Sequence, residues 1–103
     1  MKNISFFKRG WIVGDFSPSL FKREDIEVGI KFFKEKTFGD GHYHKKSSEY
    51  SIIIFGGCEK NGIKYHEGDI IIQNRKERDK IIWDKNTKIL VIRDGSSTND
   101  KYV

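Results

Sequence analysis

Three stretches of the chain are apolar at consecutive positions instead of alternate ones: Ile52-Ile53-Ile54, Ile70-Ile71-Ile72 and Ile89-Leu90-Val91-Ile92. A strand with one wet face alternates, so unbroken β-branched runs of this length predict strands buried on both faces. Around them the pattern predicts strands over Trp11–Val13, Glu27–Lys34, Glu49–Phe55, Asp69–Gln73, Lys80–Trp83 and Thr87–Arg93. Asn61-Gly62, flanked by strand-formers, predicts a two-residue hairpin, because a type I′ turn needs positive φ at both central residues. Asp84-Lys85-Asn86 reads as a turn, Gly95–Asp100 as a loop or frayed end, and Lys22–Ile26 as one helical turn at most. Short strands at close spacing with turns between them indicate an all-β domain, a sandwich or barrel. One face of each apolar strand can fill the interior. The other needs a covering sheet, the N-terminal segment or a second subunit, and a homodimer is the expectation.

Composition sharpens this reading. Fifteen Ile and eight Phe stand against two Leu and no Ala. β-Branched and aromatic side chains suit a pleated surface, whereas a helical domain without Ala would be unusual. At 103 residues there is room for one domain. No apolar run approaches the ~20 residues that span a bilayer, and MKNISFFKRGW lacks the apolar core and cleavage site of a secretion signal. The net charge is +5, but no basic cluster exceeds two residues, so no nucleic-acid partner is expected. A lone cysteine, Cys58, rules out an internal disulfide framework and fits the cytoplasm.

The chemistry concentrates in Gly41-His42-Tyr43-His44-Lys45-Lys46-Ser47-Ser48-Glu49, followed by Gly56. His42 and His44, two apart on a strand, project from one face, and Tyr43 from the other. Glu49, after a four-residue connection, can bring a carboxylate to the same place. Two imidazoles and a carboxylate form a facial set with open coordination positions, suited to Fe(II), Mn(II), Zn or Ni.

The run HYHKKSSEYSIIIFG resembles the first motif of the cupin superfamily: HxH, three or four residues, Glu, six residues, Gly. His42, His44, Glu49 and Gly56 fall in place. Gly68-Asp69 resembles the start of the family's second motif, which then departs. Its Pro, Gly and His positions are Asn74, Lys76 and Asp79, and the Gly usual six residues before the first His is Lys36. The resemblance covers about residues 27 to 93. It implies a cupin-type antiparallel β-barrel or jelly roll over 27–94, with an N-terminal strand or arm in 1–26 and a tail in 95–103. Ile4–Phe7 and Trp11–Val13 lie outside the match and are candidates for an added strand or a subunit-crossing arm. The resemblance also implies a divalent metal on His42, His44 and Glu49, with Asp79 a tentative stand-in for the missing His. Glu77 is off register for that place.

Three functions remain open at this point. The first is a minimal cupin that holds a divalent metal and acts on, or senses, a small polar molecule. The second is a metal-free relative of sugar-nucleotide isomerases and epimerases, in which the motif His residues transfer protons; Arg75 and Arg78 would be its central candidates for binding pyrophosphate. The third is a non-catalytic binding or structural cupin. Of the remaining residues, His66 reads as exposed at a turn, and Trp11 and Trp83 as core or interface. Glu27, Lys31 and Ser51 face the interior if their strands alternate simply. Any of them found inside would need a polar partner, and would point to a polar ligand.

Overall fold

The computed structural model describes residues 3–39, 43–44, 48–74, 79–94 and 101–102. Eleven strands are present among them: β1 (Trp11–Val13), β2 (Ile26–Phe33), β3 (Thr37–Phe38), β4 (Tyr43–His44), β5 (Ser48–Phe55), β6 (Gly57–Lys60), β7 (Ile63–His66), β8 (Ile70–Gln73), β9 (Ile81–Trp83), β10 (Thr87–Asp94) and β11 (Lys101–Tyr102). They form a five-stranded sheet in the order β1-β2-β10-β5-β8, a four-stranded sheet β3-β9-β6-β7, and the pair β4-β11. The pairings within all three are antiparallel. This is the all-β arrangement of packed sheets that the apolar runs predict, in the jelly-roll form that the resemblance implies.

The core lies between the two larger sheets. Ile53, Ile71, Ile89 and Val91 come from the five-stranded sheet, and Cys58, Ile81 and Trp83 from the four-stranded one. Alternation is clean on β10, where Thr87, Ile89, Val91 and Arg93 are buried and the residues between them are less so. The opposite face of this sheet is apolar as well. Two cross-strand rows run over it: Ile30–Leu90–Ile52–Ile70 and Val28–Ile92–Tyr50–Ile72. At one end Phe32 and Phe55 meet edge to face at 6.1 Å, with Lys88 Nζ 5.8 Å from the Phe55 ring.

Two connections follow directly from residue type. Asn61 and Gly62 carry φ of 50° and 85° at the tip of the β6–β7 hairpin, as the Asn-Gly pair predicts. Gly56, the last residue of the first motif, turns the chain from one sheet into the other at φ 90°. A Cβ there would lie 2.6 Å from the Cα of Thr87. The Thr87 hydroxyl fastens the same corner, accepting from Gly57 N (3.0 Å) and donating to Gly57 O (3.1 Å).

The ends of the chain depart from the sequence reading. Ile4–Phe6 forms a 3-10 turn in which the Asn3 side chain accepts from Ser5 N, so these residues are not a strand. Trp11–Val13 does add to the sheet edge, beside β2. Lys22–Ile26 contains no helical turn: Arg23 N reaches back to Gly14 O, and the Arg23 guanidinium clasps Asp25 through two bonds. That clasp holds the Asp25 carboxyl below its ordinary range and raises Arg23. Gly95–Asp100, read as a loop or frayed end, lie outside the described residues; beyond them Lys101 and Tyr102 form β11 and pair with His44 and Tyr43. Among the described residues no helix is long and apolar enough to cross a membrane.

Candidate functional site

Three charged side chains stand in one cross-strand row on the inner face of the five-stranded sheet. Arg93 on β10 lies directly opposite Glu27 on β2 and Glu49 on β5. Its Nη1 donates to Glu27 Oε1 at 2.9 Å, and its Nη2 and Nε donate to Glu49 Oε2 at 3.0 and 3.3 Å. Glu27 is 6% exposed and Arg93 9%. Ionised carboxylates are tolerated at such burial because the guanidinium supplies both compensating charge and fixed donors. Trp11, on the edge strand, packs its ring against Arg93 with the guanidinium carbon 4.6 Å from the centroid. Lys31 Nζ lies 5.0 Å from the same ring. Trp11 thus does more than fill the core: its π face meets two cations.

Beside this row a cavity of about 240 Å³ opens between the sheets. Its polar wall is Lys31, Thr37, Glu49 and Gln73, and Glu49 and Gln73 are cross-strand neighbours. Its apolar wall includes Phe33 and Trp83, whose rings stack at 5.0 Å and 7°. A few polar groups converging on a mostly apolar concavity is the usual form of a small-molecule site.

The predicted metal ligands distribute as follows. Glu49 faces the cavity. His44 is placed by its backbone in β4, paired with β11, and His42 lies outside the described residues. Asp79 stands next to the β6–β7 hairpin. Its Oδ1 accepts from Asn61 Nδ2 at 3.1 Å and its Oδ2 is 3.5 Å from Lys60 Nζ. Asn61 Oδ1 in turn accepts from Lys80 N at 2.9 Å, so Asp79 is built into the turn that starts β9. Among the described residues no three His, Cys, Asp or Glu side chains converge on one point. Glu77, Arg75 and Arg78 lie outside the described residues. His66 is exposed at the end of β7, where its N–H donates to Asp69 Oδ2 at 2.7 Å.

The donor chemistry fits a divalent metal on its carboxylate side. A carboxylate offers about four acceptor positions, and the two bonds from Arg93 to Oε2 orient Glu49. Of the residues weighed for the interior, Glu27 and Ser51 are buried there, and Lys31 lines the cavity. Arg93 was not singled out from the sequence. Its signal was its parity: it continues the inward series of Ile89 and Val91 in a strand whose apolar run predicts burial on both faces. Cys58 is fully buried, which pushes its thiol up to about 11 and keeps it protonated and unreactive at neutral pH.

A scan of family models and a search of curated proteins found no match to this sequence. Solved structures do resemble it. KdgF from a Halomonas species matches with a TM-score of 0.66 at 13% identity, over 75% of this chain and 74% of that one. An RmlC-like cupin protein from Desulfovibrio desulfuricans matches with a TM-score of 0.59 at 15% identity, over 73% and 76% of the two chains. The DMSP lyase DddQ from Ruegeria pomeroyi gives 0.70 at 14% identity, over 90% of this chain, which spans only 49% of the lyase. At these identities the likeness is one of fold.

Proposed function

From the premise that this chain is a cupin by fold, we propose that it holds a divalent first-row metal through His42, His44 and Glu49 and binds a small polar molecule in the adjoining cavity. The observation that carries this reading is the placement of Glu49: the motif carboxylate faces the cavity, fixed by Arg93, beside Lys31 and Gln73. When bound, such a metal would act as a Lewis acid toward an oxygen of the ligand. The chain's own groups supply the rest. Arg93 holds the Glu49 carboxylate in one orientation. Lys31 offers a cation and Gln73 an amide to the ligand's polar atoms, and Phe33 and Trp83 exclude water from its apolar edge. The location proposed is cytoplasmic, in keeping with a free, buried Cys58.

One observation favours a metal-free binding role instead: the Glu49 charge already has a cationic partner in Arg93. Titration of untagged protein with Zn(II), Co(II), Ni(II), Mn(II) and Fe(II) at pH 7.5 separates the two. The metal reading expects one ion per chain. His42→Ala or His44→Ala should lose most of the binding, Glu49→Gln should weaken it, and Asp79→Ala should leave it unchanged, because Asp79 is engaged with Lys60 and Asn61. Affinity should fall as pH drops through the imidazole range near ~6.5, where protons compete for the nitrogen lone pairs. Absence of uptake for all five ions refutes the metal reading and leaves the metal-free one.

A further inference from the structure

The inward positions of β2 near the site are Glu27, Gly29 and Lys31, two charged side chains with a gap between them. The gap is filled from the neighbouring strand. Trp11 is the register partner of Gly29. Its indole lies so close that a Cβ on Gly29 would stand 2.7 Å from Trp11 Cε3 and 3.0 Å from Cδ2. A glycine inside a strand often marks a close approach of this kind. Two strand spacings, about 10 Å, separate β1 from β10, with β2 between them. Crossing β2 where it has no side chain brings the indole to the Arg93 guanidinium, whose carbon is 4.6 Å from the ring centroid.

A guanidinium directs its N–H groups within its own plane. Arg93 uses them on Glu27 and Glu49. Those bonds resist sliding in the plane and do little against tilting out of it. A flat π face laid against the guanidinium resists the tilt. We propose that Trp11, seated over Gly29, is a positioning residue of the site: by holding the face of Arg93 it fixes the direction of the Glu49 carboxylate. The N-terminal edge strand, outside the motif resemblance, is then part of the site. The effect on metal affinity rests on the reading of Glu49 as a ligand; the effect on the Arg93 hydrogen bonds does not.

Packing alone would be served by any large apolar side chain at position 11, whereas this role needs a π face. The full chain with W11F, W11L or G29A separates the two, each variant being checked for folding by circular dichroism. The first readout is the Arg93 Nε–H signal in a proton–nitrogen NMR spectrum at pH 6.5, identified by its loss in Arg93→Lys. In the wild type it should lie upfield of ordinary arginine signals, shielded by the ring, and exchange slowly, because Glu49 accepts its proton at 3.3 Å. W11L and G29A should lose both marks, and W11F should keep them. The second readout is Co(II) affinity, which W11L and G29A should weaken about fivefold or more and W11F by about threefold at most. An Arg93 signal at the ordinary position in the wild type, or unchanged in W11L, overturns the proposal. So does an unchanged Co(II) affinity in W11L when the wild type binds the ion. A wild type that takes up no Co(II) counts against the metal reading alone, and the Arg93 signal then decides the role of Trp11. If G29A does not fold, the contrast between W11L and W11F decides it.

Discussion

Replacing Arg93 by Met isolates the interaction at the centre of the site. Met keeps an apolar stem of similar length and removes the guanidinium. Glu27, 6% exposed, and Glu49, with a side chain 14% exposed, are then left across β10 with no charge from Arg93 between them. Removing one partner of a buried charge network costs about 3–5 kcal/mol, mostly through the charge left uncompensated. The lost contact with the Trp11 ring, at 4.6 Å, is part of that sum. Against a total of about 5–15 kcal/mol for a native domain this is a large fraction. With a urea dependence near ~1.5 kcal/mol/M the midpoint should fall by about 2–3 M. The assay is urea unfolding followed by circular dichroism at one fixed protein concentration, since any self-association would stabilise the folded state. The partner variant is the triple replacement Glu27→Gln, Arg93→Met, Glu49→Gln. It leaves no charge in the row and should recover most of the loss, because a neutral group of similar shape is tolerated where half a charge pair is not. An Arg93→Met protein within about 1 kcal/mol of wild type, or a triple variant no more stable than the single, would refute the view that the row is held by charge compensation.

Gly56→Ala should cost about 2–4 kcal/mol, because the new Cβ meets backbone 2.6 Å away at a φ of 90°, and should lower the melting temperature by roughly 10–25 °C. Gly62→Ala is the control: φ is also positive, at 85°, but nothing lies within 4 Å, so a loss as large as at Gly56 would show that the corner contact is irrelevant. Cys58 gives a prediction in alkali. Burial lifts its folded thiol from the ordinary 9.0 to about 11. The unfolded chain therefore loses the proton first, and stability is complete below about pH 9 and declines as pH rises to about 11, by about 2–3 kcal/mol in all. Comparing wild type with Cys58→Ala at pH 8.5 and 10.5 removes the other alkaline titrations; parallel pH curves would contradict this account.

The long strands were legible because hydrophobic period and turn chemistry both mark them. The Ile runs fall in β5, β8 and β10, and Asn61-Gly62 marks the β6–β7 turn. β4 and β11, two residues each, leave no period to read, and their pairing joins residues far apart in the sequence. The N-terminal Ile4–Phe7 was a candidate for an added strand or a subunit-crossing arm because it lies outside the match, and the Asn3 cap and local 3-10 turn give Ile4–Phe6 another conformation. At the site, motif spacing singled out Glu49, and in the structure Glu49 lines the cavity. Glu27 and Lys31 were legible only as conditional on strand phase. The link from Glu27 through Arg93 to Glu49 was not, because it depends on β10 lying between β2 and β5, a strand order that no local pattern encodes. Asp79, matched by position to a motif histidine, contacts Lys60 and Asn61 beside the hairpin, and a linear motif does not carry those contacts.

The pairing of β11 with β4 has a practical side. Lys101 is the register partner of His44, so an affinity tag or further chain joined after β11 continues from the partner of the strand that carries a motif histidine. A polyhistidine tag placed there would add imidazoles that compete with the proposed ligands for a metal ion. A bulky fusion would pull on a contact of only two residues. Handles for purification, immobilisation or fluorescence therefore belong before Asn3, where the chain leads into the Ile4–Phe6 turn and not into β4 or β11.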